Sequence, residues 1–245
     1  MGRRKSHASS KRKQHVPSQR QLCLVERNEL NALCDILFLS SINTKCVTQL
    51  WDNYVKMSTI LEKVKRLEEM KTELPKRSQG IGQFMNWLKE NGANVDGVSV
   101  SEFPGYDLGL KAEHDFHENE LMLRIPRELI FSTQNAAPEL SVLRYDPLIF
   151  HMPHVALAIA LLIERHKENS KWKPYLDILP MTYSTVLYMT AADIAELKGS
   201  PTFEVALKLC RSIARQYSYF NQIFQNVNID ISDILRDVFT YERYW

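Results

Sequence analysis

The sequence predicts an α+β fold in which a few short antiparallel strands lie between longer helical stretches. Two observations carry that expectation. Between Gly97 and Pro126, apolar and polar residues alternate with a period of two, and turn residues interrupt them. On either side, apolar residues recur three and four apart, the spacing of one helix face. With 245 residues, 44% of them hydrophobic and 24% charged, the chain has the mix of one that buries a core.

Residues 1–20 form a basic tail. Arg3, Arg4, Lys5, Lys11, Arg12, Lys13 and Arg20 occur there without an acid, so the formal charge of +2 conceals a mildly acidic body. Such a head has too few apolar groups to order itself; it reads as a solvated tail, with a localisation signal or polyanion-binding arm as the sharper alternative. Residues 21–74 read as helices. In "ELNALCDILFLSS", Leu30, Leu33, Cys34 and Leu37 share a face. In "TQLWDNYVKMSTILEKVKRLEEMK", Trp51, Tyr54, Val55, Ile60, Leu61, Val64 and Leu67 form a stripe, and Pro75 stops the helix.

Residues 75–131 hold the strands. The helix "GQFMNWLKENGA" comes first, capped by Asn91-Gly92. "GVSVSEF" and "LGLKAEH" alternate as strands about the turn "PGYD", and "LMLRIP" reads as a third strand ended by Pro126. Residues 132–245 return to helix. "VALAIALLIERHKEN" is apolar nearly all round at first and should be buried, "WKPYLDILP" is a connector between two prolines, and "FEVALKLCRSIARQYSYFNQIFQ" is long and amphipathic. In "ISDILRDVFTYERYW", Ser232 is an N-cap candidate. The aromatic run that closes this segment is expected to leave apolar surface uncovered, a sign of an incomplete fold.

Most chemistries find no support. Cys23, Cys34, Cys46 and Cys210 show no CxxC pair, consistent with reduced thiols in the cytosol or nucleus. His114 and His117 lie beside Asp115 and Glu118, and His151 and His154 flank Met152-Pro153; neither group makes a tetrahedral set, so no metal is expected. No GxSxG elbow, Walker loop or complete GxGxxG occurs. The longest early apolar run, "ILFL", is far too short to span a bilayer, and neither membrane nor nucleic acid is an expected partner. Nothing calls for an oligomer, so a monomer is expected. What remains is a strand–turn–strand with Gly109, where the missing Cβ lets a ligand approach the backbone; alone, that is an ordinary feature of hairpins.

The segments "FMNWLKENGANV", "YDLGLKAEHDFHENELMLRIPREL", "ALAIALLIERHKENSKWKPYLDILP", "ARQYSYF" and "FTYERYW", in this order, are more specific together. From about residue 48 to 245 the chain resembles the SET-domain protein methyltransferases that carry a helical insertion in the SET core, a group that includes the plant Rubisco large-subunit enzymes, and within it the actin-histidine branch. The resemblance implies an incomplete SET domain whose first half is 75–131 and whose helical insert is 132–245. It implies S-adenosyl-L-methionine as methyl donor and a histidine of actin as acceptor, on a ring nitrogen. Tyr106, Asp107, Leu108 and Gly109 match the family's first cofactor loop, with Asp107 where the family usually has glycine. Arg77 matches an arginine that reaches the donor's carboxylate. Arg215 and Gln216 match residues lining the peptide groove, and His154 is a further groove candidate. The family's second cofactor motif, its channel tyrosine and its C-terminal domain have no counterpart here, so no catalytic residue is assigned and only weak donor binding is expected of this stretch. Two other readings stay open: a protein-lysine methyltransferase of the same fold, and an inactive form that serves as a binding module.

Overall fold

The computed structural model describes residues 22–39, 46–69, 76–133, 147–226, 235–236 and 238–244. The basic tail, Pro75 and Ser232 lie outside them. Helix α1 (Leu24–Leu39) buries Leu30, Leu33, Cys34 and Leu37, the face that the spacing predicts. Helix α2 (Val47–Glu68) buries Leu50, Tyr54, Met57, Leu61 and Val64. Val55, expected on that stripe, is 40% exposed, and Met57 takes the inward position one half-turn on. Helix α3 (Ile81–Glu90) follows a 3-10 turn, Arg77–Gly80. It ends in a Schellman motif: Ala93 N–H donates to the Leu88 carbonyl at 2.9 Å and Gly92 N–H to the Lys89 carbonyl at 3.0 Å.

Strands β1 (Val98–Phe103) and β2 (Asp107–Ala112) form an antiparallel hairpin in which Ser101 faces Gly109 and Phe103 faces Asp107. The expected third strand is not there. "LMLRIP" makes one isolated bridge, Arg124 to Asn94, and Leu121 and Met122 are exposed. Alternation is satisfied as a strand only where a neighbouring strand supplies backbone partners, and among the described residues none lies beside 121–123.

The remaining elements are helical: α4 (Pro147–His151), α5 (Pro153–His166), α6 (Lys173–Leu176), α7 (Ala191–Glu196), α8 (Pro201–Asn226) and α9 (Tyr241–Tyr244). Helix α5 buries Val155, Ala156, Ile159, Ala160, Leu162 and Ile163, as its apolar first half requires. Helices α1, α2 and α8 pack on one another, and α9 packs against α2, α5 and α8. Two apolar clusters result. The larger joins these helices; the smaller, around Leu88, Val95 and Val98, seats the base of the hairpin on α3. Aromatic contacts link them: Trp87 to Trp172 at 5.9 Å, and Trp172 to Phe131 at 5.1 Å.

The closing aromatic run corrects one expectation. Phe239, Tyr241 and Tyr244 are buried, with Phe239 stacked on Tyr217 at 5.5 Å and Tyr244 beside Phe220. The large helix α8 supplies the partner surface that the sequence order hides, so this run is no sign of an unfinished core. No helix among the described residues is long and apolar enough to cross a membrane.

Candidate cofactor-binding turn

The hairpin turn is built by sequence. Pro104 and Gly105 occupy the central positions of a β-turn closed by Tyr106 N–H to the Phe103 carbonyl at 2.9 Å, and Gly105 has φ +80°, which that turn type demands. Asp107 follows in the left-handed region at φ +59°. Short polar side chains are among the few that enter it at low cost, so an aspartate holds a backbone shape that glycine would adopt freely. Tyr106 is 87% exposed, Leu108 and Gly109 are partly covered, and the turn projects into solvent.

Arg77 meets this turn. Its Nη1 donates to Asp107 Oδ2 in a short ion pair, and its Nε donates to the Ile178 carbonyl at 2.7 Å. The 3-10 turn that carries Arg77 packs closely on the connector: a Cβ on Gly80 would lie 3.0 Å from Ile178. Phe84 meets Tyr175 at 6.3 Å and fixes α3 to α6. Three segments far apart in sequence therefore converge on one guanidinium. The Ile178 carbonyl is a participant that sequence reasoning missed; "WKPYLDILP" is conspicuous for its aromatics and prolines, and nothing in the letters marks one backbone oxygen.

Gly109 differs from expectation. The space that its missing Cβ leaves is filled by the Phe103 ring, whose edge would stand 3.1 Å from an added Cβ. Approach of a ligand to the backbone is open at Tyr106 and Asp107 and screened at Gly109. On the flank of the hairpin, the Ser99 hydroxyl and then Lys111 hold the exposed Glu113 carboxyl below its usual range.

The groove candidates lie elsewhere. His154 is exposed on the first turn of α5. Arg215, on α8, sits over the Phe38 ring at 5.6 Å with its Nε buried and without a hydrogen-bond partner among the described residues. Gln216 is buried; its Nε2 donates to Ser212 at 3.2 Å and its Oε1 accepts from the Tyr244 hydroxyl at 2.9 Å. The structure brings Arg77 and Asp107 together and places His154, Arg215 and Gln216 on the helical layer. His114 packs against Phe116 at 4.4 Å, and among the described residues no three His, Cys, Asp or Glu gather as a metal-ligand set.

A donor with an amino-acid end asks for a cation near its carboxylate and exposed backbone beside it. The turn fits on both counts: Arg77 is 23% exposed, its Nη2 makes no hydrogen bond among the described residues, and Tyr106 and Asp107 present accessible backbone.

No protein-family model matches the chain. Curated relatives do. The chain is 33% identical over 198 residues to the actin-histidine N-methyltransferase of Homo sapiens, covering 79% of this chain and 33% of that protein. It is 31% identical over 219 residues to the protein of the same name from Xenopus tropicalis, covering 88% and 38%. The chain thus spans 33–38% of the length of these relatives. Among solved structures, Rubisco LSMT bound to AdoMet superimposes with TM-score 0.56 at 23% identity, over 67% of this chain and 38% of that one. The SET domain of LSMT bound to lysine and AdoHcy gives TM-score 0.54 at 24% identity, over 66% and 38%. The structural likeness shows a partial SET fold, and the sequence likeness is to actin-histidine N-methyltransferases.

Proposed function

We propose that the protein is an S-adenosylmethionine-dependent protein N-methyltransferase that acts on a ring nitrogen of an actin histidine, and that this chain supplies the turn and the arginine that hold the donor's amino-acid end. The observation that carries the reading is the convergence of Arg77 on an exposed left-handed turn, in a chain whose curated relatives are actin-histidine methyltransferases. When bound, the donor supplies an electrophilic methyl group on a sulfonium. Arg77 would receive the donor's carboxylate, and the open backbone of Tyr106 and Asp107 would flank it, with Leu108 and Gly109 continuing the turn into β2 behind them. Both groups orient rather than react, and orientation is the main demand of a methyl displacement, whose nucleophile must stand in line with the leaving sulfur. The acceptor nitrogen must be unprotonated, so an imidazole is competent near neutral pH without a strong general base, whereas a lysine ammonium must first lose its proton. His154 and Arg215 are the groups offered to the actin chain; Gln216, enclosed by Ser212 and Tyr244, acts by holding α8 in place.

Protein expressed from the complete gene, incubated with methyl-tritiated S-adenosylmethionine and actin, is expected to label one histidine, located by peptide mapping. Label on lysine would move the protein to the lysine-modifying members of the fold. Absence of label together with absence of S-adenosylhomocysteine binding would contradict the reading and favour a partner-binding role.

A further inference from the structure

We propose that Asp107 is a built-in competitor for the donor's carboxylate: its side chain holds Arg77 while the site is empty of ligand, and the donor binds by displacing it. The inference rests on the reading above, in which Arg77 receives that carboxylate. Asp107 stands directly after the Gly105 turn at φ +59°, a backbone position that a glycine satisfies with no side chain at all. The turn needs the conformation and has no need of the charge. Yet the charge is used, since Asp107 Oδ2 accepts from Arg77 Nη1.

The two partners are unequally held. Arg77 is anchored through Nε to the Ile178 carbonyl at 2.7 Å, and its side chain is 23% exposed; the Asp107 side chain is 60% exposed and its one described partner is Arg77. The guanidinium is therefore the fixed member and the carboxylate the one that moves. Two carboxylates on one guanidinium repel each other, so arrival of the donor's carboxylate weakens the hold of the first. Because the existing pair is largely in water, displacing it costs little, and the penalty on affinity is up to about five-fold.

The penalty falls only on ligands that carry the carboxylate, which separates this effect from any general change in the turn. The test measures binding of S-adenosylhomocysteine and of 5′-methylthioadenosine, which lacks the amino-acid end, to full-length wild-type protein and to the D107N and D107G variants. Asparagine keeps the left-handed tolerance and removes the charge; glycine removes the side chain. Both variants are expected to bind S-adenosylhomocysteine more tightly, by up to about five-fold, with 5′-methylthioadenosine unchanged. The wild-type disadvantage should shrink at high salt, since an exposed pair is screened. Weaker S-adenosylhomocysteine binding by D107N would show that Asp107 serves the donor's ammonium instead, and would overturn the inference. Equal changes for both nucleosides, or none, would overturn it as well while leaving the donor site standing. If neither nucleoside binds any of the three proteins, the donor reading and the inference fall together.

Discussion

Trp172 is the residue on which the two apolar clusters meet. It is 1% exposed, touches Trp87, Phe131 and Tyr175, and carries the Lys171 ammonium over its ring at 5.1 Å. Its indole N–H has no hydrogen-bond partner among the described residues. A tryptophan held for its ring area alone tolerates phenylalanine better than truncation. Trp172→Ala is expected to cost about 3–5 kcal/mol of stability, and Trp172→Phe clearly less, by urea denaturation. The cysteines divide by the same logic of environment. Burial first, and then the nearby Glu68, push the Cys34 thiol up to about 12, and burial raises Cys210 to about 11. Cys46 is exposed, and the backbone N–H groups of Gln49 and Thr48 at the start of α2 lower its pKa. Alkylation with iodoacetamide at neutral pH is expected to mark Cys46 in the native protein and to spare Cys34 and Cys210 until unfolding, as read by mass spectrometry.

At the scale of elements, legibility followed the source of the information. Helices α1, α3, α5 and α8 are readable because their apolar spacing is a local property, and the Asn91-Gly92 ending of α3 is readable because a left-handed cap has a residue signature. The hairpin turn is legible in "PGYD" for the same reason. The 121–126 alternation makes no third strand beyond one isolated bridge, since a strand is completed by a neighbour and alternation says nothing of whether one is present. Gly109 shows the same limit: its open side is visible in the letters, but the Phe103 ring that fills it is not. Gly109→Ala should force that half-exposed ring to shift and lower stability by about 1 kcal/mol, measurable by thermal unfolding. Helix α7 supplies a cleaner case. The Thr190 hydroxyl accepts from Asp193 N–H at 3.2 Å while Asp193 accepts from Thr190 N–H at 2.8 Å, a reciprocal cap. Thr190→Ala is expected to cost about 1 kcal/mol, with the loss read from denaturant midpoints.

For the molecule as a whole, Glu68 is the knot. It ends α2, accepts from the Tyr217 hydroxyl of α8, and accepts from Tyr241 N–H of α9 at 2.8 Å. Burial pushes its carboxyl up from 4.5 to about 7 against the lowering effect of those two donors. A carboxyl that keeps its proton in the folded chain but loses it in the unfolded chain gives stability in full below pH 4.5, and that stability fades as pH rises through 7. Glu68→Gln removes this dependence, so the variant should match wild type near pH 5 and exceed it at pH 8 in urea midpoint; an unchanged gap across that range would contradict the assignment. Nothing local in the sequence separates Glu68 from the other charges of α2, because its partners lie more than a hundred residues away. The candidate donor turn is legible in part for the same reason: its bend is local and the family resemblance names Arg77, whereas the Ile178 carbonyl that anchors Arg77 lies a hundred residues away. The central claim, that the Tyr106–Gly109 turn and Arg77 receive the amino-acid end of an S-adenosyl donor, is tested most directly by titrating ¹⁵N-labelled protein with S-adenosylhomocysteine. The amides of Tyr106 to Gly109 and the Arg77 Nε–H resonance should shift together along one binding curve; shifts that leave those five residues unmoved would contradict it.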